Sequence, residues 1–159
     1  MDYKDMSKED FDAIVTGELT HISLSIEDEI NNIICDYFIK SGKKIDFKRL
    51  ILFRDGLTFH DKIEILRAMV PLFGEVADRI KLKIILREVE NFKLIRNAMS
   101  HGLDVSNSYS NILKVEIISR SGKPKIIEIT PESHKSTYEH GDQLLDKIRK
   151  ARIEIKKAT

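Results

Sequence analysis

The sequence predicts a mainly α-helical fold that ends in a β-hairpin and a final helix. Two long stretches, 8–40 and 78–101, carry apolar residues at steps of three and four, which is typical of helices with a buried face. Further along, 112–118 and 125–129 are β-branched runs with partial alternation, and this pattern indicates a hairpin. Because an isolated hairpin is only marginally stable, we expect it to pack on the helices.

The length of 159 residues suffices for one domain with a real core. We expect a single domain over residues 1–159. It is divided into a helical core, the hairpin and a C-terminal helix, at 8–102, 112–130 and 131–157 respectively. The sequence shows no internal repeat, no low-complexity segment and no second domain.

The first helix is predicted from Lys8 to Lys40, where Ser41-Gly42 ends it. A short helix from Asp46 to Arg54 follows, with Asp46 as its cap.

The next helix is predicted to begin after Thr58, which can form a capping box with Asp61. The long helix after it is predicted from Asp78 to His101. In the C-terminal part, Arg120–Pro124 reads as the turn of the hairpin, and Thr130-Pro131 as the start of the last helix.

Composition limits the classes of function. The formal net charge is +1, so a nucleic-acid site must be a local patch rather than a global field. The lone Cys35 excludes an intrachain disulfide and falls on an apolar helical pattern, so we expect it to be buried. No apolar run is long enough to span a membrane, and the acidic N-terminus is no signal peptide, so we expect a cytoplasmic protein.

The candidate site lies at the end of the 78–101 helix. Asn97 and His101 are four residues apart and therefore share a helix face. Arg96 directly precedes Asn97, and Gly102 is the residue type that most often ends a helix. An Arg-Asn pair followed by His at this single spacing arises by chance in roughly one chain in a hundred.

The same helix carries two apolar stripes, one through Val89 and Phe92 and another through Leu86, Leu94 and Ala98. A helix that is apolar on two sides is usually covered on both, so we expect the second stripe to face a partner subunit in a homodimer.

Arg96 borders the stripe that faces the core. We therefore expect its charge to be paired, with Glu88 or Glu90 as the candidates, or to lead into a shared cleft.

This Arg-Asn-x-x-x-His pattern, at the end of a long helix in a small helical domain, resembles the HEPN superfamily. A weaker likeness is Leu57–Ile63, which resembles a Phe-x-x-Lys segment that opens an earlier helix in many such domains. The resemblance covers Phe11 to Gly102. The HEPN toxins that are paired with minimal nucleotidyltransferase antitoxins have a Tyr two positions after the His, where this chain has Leu103.

The resemblance implies a metal-independent endoribonuclease, a toxin or antiphage effector, with a composite site across a symmetric homodimer. RNA would be the substrate and an antitoxin protein a second partner. Each subunit would contribute Arg96, Asn97 and His101. Histidine can act as acid or base near neutral pH, and arginine offers a fork of donors to phosphate. We assign three further residues to substrate binding: Lys62, expected on the surface, Glu90 and Ser100.

We expect no cofactor and no metal site, because most of the five histidines lie far apart in the sequence. His134 and His140 are expected on the polar side of the last helix. The alternative to an enzyme is a non-catalytic dimeric module that uses the same groove for a nucleotide, RNA or a protein.

Overall fold

A computed structural model describes residues 3–40, 42–107, 111–119 and 121–158. The chain divides into two compact units. The first comprises Met1–Ser23 and Asn91–Asp142, and the second Leu24–Glu90 and Gln143–Thr159. The prediction of a single domain stays a prediction. Ser41 and Arg120, which the sequence places in loops, lie outside the described residues.

Helices dominate the described residues, which confirms the mainly α prediction. The helices are α1 (Lys8–Phe38), α2 (Lys44–Phe47), α3 (Phe59–Met69), α4 (Glu75–Arg79), α5 (Leu82–His101) and α6 (Pro131–Ala158). The strands are β1 (Leu103–Asp104), β2 (Leu113–Ile118) and β3 (Pro124–Ile129), which form one antiparallel sheet in the order β1-β2-β3. Shorter turns of 3-10 helix lie at Tyr3–Asp5 and Val70–Phe73, and a π-helical turn at Lys48–Leu52.

The first unit buries the N-terminal part of α1 along one face. The buried side chains recur at the helical spacing: Phe11, Val15, Leu19 and Ile22. Gly141 of α6 allows a close helix approach, because a Cβ there would lie 2.6 Å from the Phe92 ring and 3.0 Å from Ile22. The apolar spacing of these helices is therefore explained by packing within this unit.

The predicted hairpin is present and packs as expected. Val115 of β2 pairs with Ile127 of β3, and Leu113 pairs with Ile129. Leu113, Val115 and Ile129 are buried. Thr130 caps α6, because its hydroxyl accepts a hydrogen bond from the Ser133 backbone N–H at 3.1 Å and Pro131 is the first helical residue.

The second unit contains the rest of α1, and its short helical segments depart from the predictions. α1 ends at Phe38 rather than Lys40, and α2 begins at Lys44. Asp46 therefore lies inside the first turn of α2 and is not its cap, which corrects the expected helix from Asp46 to Arg54. Thr58 and Asp61 do form the predicted capping box of α3. Cys35 is buried as expected, and burial raises the pKa of its thiol.

The predicted helix from Asp78 to His101 is interrupted. α4 ends at Arg79 and α5 begins at Leu82, with Lys81 between them at φ +55°. Few residues other than glycine adopt this left-handed conformation. The apolar stripe begins at Leu82, and the helical positions before the break hold Asp78 and Arg79, so no apolar residue of the stripe supported the predicted start at Asp78. Among the described residues, no helix combines the length and apolar character needed to cross a membrane.

Candidate functional site

The C-terminal end of α5 forms one side of an open cleft of about 540 Å³, which we call the α5 cleft. Asn97 and His101 both line it, because residues four apart on a helix share a face. The other lining residues come from α5, β1 and β2: Leu94, Ala98, Leu103, Glu116, Ile117 and Ile118. The structure thus brings together two of the three predicted catalytic residues.

The α5 cleft combines polar side chains with apolar walls. His101 is exposed, and Asn97 and Glu116 are half-buried. Leu94 and Leu103 expose 52% and 65% of their surface. Apolar surface beside a few polar groups is the usual composition of a binding site.

Arg96 does not line the α5 cleft. Its Nε donates a hydrogen bond to the Oγ atom of Ser23 at 3.3 Å, and Ser23 is fully buried in the first unit. Its expected pairing with Glu88 or Glu90 is not what the structure shows: Glu88 pairs with Lys147 at 2.7 Å and Glu90 with Arg67 at 2.8 Å. Arg96 borders the core as predicted, and Ser23 is the partner that the sequence did not reveal.

Glu116 is the lining residue that the sequence analysis missed. It lies in β2, and its Cα is the register partner of Leu103 in β1, two residues after His101. A two-residue strand carries no detectable alternation, so the sequence could not place Glu116 beside the motif. The sequence predicted the hairpin, but it did not predict which residues β2 packs against.

α5 ends at His101, directly before Gly102, as predicted, and Gly102 also meets a packing requirement. The φ angle of Gly102 is not positive, so this residue does not end α5 in the left-handed conformation. A Cβ at Gly102 would instead lie 2.1 Å from Cγ1 of Val115 and 2.6 Å from the carbonyl oxygen of Ala98. The end of α5 therefore approaches β2 so closely that only glycine fits, and this approach places Glu116 at the α5 cleft.

Gly102→Ala should lower the free energy of unfolding by about 1–3 kcal/mol, because the added methyl group must push β2 away from α5. Urea denaturation measures this change. Gly17→Ala is the matched control, since a Cβ there meets no atom within 4 Å and alanine favours the helix by up to about 1 kcal/mol. Equal stability of the Gly102→Ala variant and the parent would contradict the close approach.

Asp104 fixes the end of β1 beside the cleft. Its carboxylate accepts hydrogen bonds from the Ser106 side chain, from the Ser106 backbone N–H at 2.8 Å and from Nζ of Lys8 at 2.9 Å. These bonds lower the pKa of Asp104 to about 2. Because its pKa is lowered, the ionised Asp104 stabilises the folded state at pH values above about 4, and this stabilisation is lost as the pH falls through about 2.

Lys62 belongs to the second unit and is buried, so the expectation of a surface lysine is wrong. Its side chain is 5% exposed, and its Nζ lies 2.5 Å from Oε1 of Glu27. The ammonium also lies 5.7 Å from the centroid of the Phe53 ring. A buried ammonium needs such a partner, and Glu27 supplies it.

The other two residues assigned to substrate binding are placed separately. Ser100 is exposed in the first unit and is not among the residues that line the α5 cleft. Glu90 is half-buried in the second unit and pairs with Arg67. Burial opposes the charge of Arg67, but the hydrogen bonds and charge interactions with Glu90 and Glu64 together outweigh burial, so the pKa of Arg67 is raised.

The histidines differ in their surroundings. His140 is exposed on α6 as predicted. His134 is completely buried, which corrects its expected place on the polar side of α6, and its Nε2 lies 2.6 Å from Oε2 of Glu18. His60 of α3 gathers with Glu64 and Glu90, and one ligand atom from each lies within 4.8 Å of the others.

Comparisons with protein-family models, with curated proteins and with solved structures found no match to this chain. The likeness to HEPN proteins therefore rests on the residues of the motif alone.

Proposed function

We propose that this chain is a metal-independent endoribonuclease of the HEPN type, acting as a homodimer in the cytoplasm. The observation that carries the proposal is that His101 and Asn97 line one open cleft at the end of α5. His101 is exposed there, and a proton-transfer group must be able to reach the substrate. The biological role that fits is that of a toxin, held in check by an antitoxin protein, or of an antiphage effector.

The reaction needs two proton-transfer groups. One imidazole takes the proton of the RNA 2′-hydroxyl while the 2′-oxygen attacks phosphorus. The bond from phosphorus to the 5′-oxygen then breaks, and a second imidazole gives its proton to that leaving oxygen. The products are a 2′,3′-cyclic phosphate and a 5′-hydroxyl end. Each chain offers one histidine in the α5 cleft, so a two-fold dimer would supply both groups.

Arginine and the amide have supporting roles in this proposal. The Arg96 guanidinium has five donor hydrogens, of which the bond to Ser23 uses one, and its planar fork matches phosphate oxygens. Asn97 can hydrogen-bond the imidazole or the substrate from the same helix face. Glu116 adds a carboxylate that can accept a hydrogen bond from the imidazole or from a nucleobase.

The test is incubation of the purified protein with RNA in the presence of EDTA. Cleavage should continue, and mass spectrometry of the fragments should show cyclic phosphate ends. Loss of cleavage on chelation, or fragments with 3′-hydroxyl ends, would be incompatible with this mechanism.

The homodimer is a separate expectation. Of the stripe expected to face a partner, Leu86 and Ala98 are buried within the chain, which corrects that expectation for them, whereas Leu94 is 52% exposed beside the α5 cleft. An aspartate at Leu94 should disrupt a dimer that buries it. Light scattering at tens of micromolar should give twice the chain mass for the parent and the chain mass for Leu94→Asp. Ile84→Asp is the matched control, because Ile84 is equally exposed at 52% on α5 but lies roughly 80° round the helix. A monomeric parent protein would refute the composite site.

One observation favours a second candidate function, a dimeric module that binds without cutting. Arg96 is engaged by buried Ser23, and most side chains that line the α5 cleft are apolar. Such a module should retain labelled RNA or a nucleotide in a binding assay and leave the RNA intact. Binding without cleavage would select this function over the nuclease.

A further inference from the structure

Three potential metal ligands meet in the second unit. His60 and Glu64 are four residues apart on α3 and therefore share a face. Glu90 comes from α5. One ligand atom from each of the three lies within 4.8 Å of the others, a spacing that a single ion with bonds of about 2.0–2.2 Å can close after small side-chain rotations.

A positive charge already occupies this cluster. The Arg67 guanidinium pairs with Glu64 and, at 2.8 Å, with Oε2 of Glu90. The single positive charge of Arg67 balances only one of the two carboxylates, so Arg67, Glu64 and Glu90 together carry one net negative charge. The Arg67 side chain is 39% exposed, so it can leave the cluster and remain solvated.

We propose that His60, Glu64 and Glu90 form a site for one divalent ion of the zinc and cobalt class, which takes the place of the Arg67 guanidinium. The donor set selects this class, because imidazole nitrogen suits zinc and cobalt, whereas magnesium and calcium favour oxygen ligands alone. Three protein ligands leave a further position for water. The site ties α3 to α5, and it does not depend on the proposed nuclease activity, which uses the α5 cleft without metal.

The first experiment is titration of the chelator-treated full chain with Co²⁺, followed by its visible absorbance. The parent should saturate at one ion per chain and melt at a higher temperature when loaded, since a ligand that binds the folded state stabilises it. His60→Gln and Glu90→Gln should each lose the absorbance change. His140→Gln is the matched control, because it removes an exposed histidine of α6 and should bind Co²⁺ as the parent does.

The second experiment uses the competing cation. Arg67→Gln should bind Co²⁺ more tightly by about tenfold, which corresponds to about 1.4 kcal/mol, because the ion no longer has to displace the guanidinium. Undiminished binding by His60→Gln would overturn the proposal. Failure of the parent to bind Co²⁺ would also overturn it, even if Arg67→Gln binds the ion, because the Arg67 guanidinium would then be the permanent occupant of the cluster. Circular dichroism of each variant should be measured to check that it is folded.

Discussion

Replacing His101 by alanine should slow RNA cleavage by about a hundredfold or more, because the reaction loses a group that transfers a proton in the transition state. The same change should leave the free energy of unfolding within about 0.5 kcal/mol of the parent value, since His101 is exposed and surface substitutions cost little. Cleavage of a labelled RNA under single-turnover conditions measures the first quantity, and urea denaturation measures the second.

Three further variants make this result specific. His140→Ala removes another exposed histidine of the first unit and should cut RNA at the parent rate. Glu116→Gln keeps the size of the side chain and removes its charge, so an effect on the pH dependence of the rate would place this carboxylate next to the reacting imidazole. Arg96→Lys keeps the charge and loses the planar fork, and it should cut more slowly than the parent. A His101→Ala protein that cuts as fast as the parent, or that does not fold, would end the catalytic interpretation.

The buried ion pair of Lys62 and Glu27 should give the largest change in stability. Glu27→Gln leaves the Lys62 ammonium buried without its counter-charge, and removal of one partner from a buried pair costs about 3–5 kcal/mol. Lys62→Met should cost less, about 1–2 kcal/mol, because methionine fills the same space without a charge. The Glu27 carboxylate that remains is 18% exposed and can take up water more readily than the 5% exposed lysine.

Urea denaturation with an unchanged slope should show this order, with the lower midpoint for Glu27→Gln. The double variant should be more stable than the sum of the two losses predicts, because the two side chains interact directly. Lys48→Met is a useful comparison, since Lys48 pairs with Asp28 at 3.2 Å and that carboxylate is 53% exposed. If Glu27→Gln and Lys48→Met lowered the free energy of unfolding equally, the burial of the Lys62–Glu27 pair would not explain its contribution to stability.

Helical periodicity predicted most of the fold because the buried side chains of the long helices recur at the helical spacing. The apolar side chains of α1 recur at steps of three and four, and the Thr58 capping box marks the start of α3 by local hydrogen bonds alone. The break at Lys81 could not be predicted in this way. A single residue adopts the left-handed conformation there, and it is a lysine rather than the glycine that usually marks such a position.

The candidate site could be predicted only in part. Asn97 and His101 share the α5 cleft because their spacing follows the helix repeat, which the sequence displays directly. The contacts of Arg96 with Ser23 and of Lys62 with Glu27 join residues 73 and 35 positions apart. Such pairs depend on tertiary packing, and nothing in either local segment identifies the partner.

The close approach at Gly102 has a consequence for the order in which the site is assembled during synthesis. The chain emerges from its N-terminus, so the Arg-Asn-x-x-x-His motif is complete at His101, whereas Glu116 follows 15 residues later. A nascent chain that stops between these points has the motif but lacks the wall of the cleft that β2 provides. The α5 cleft is therefore complete only after the hairpin has closed against α5.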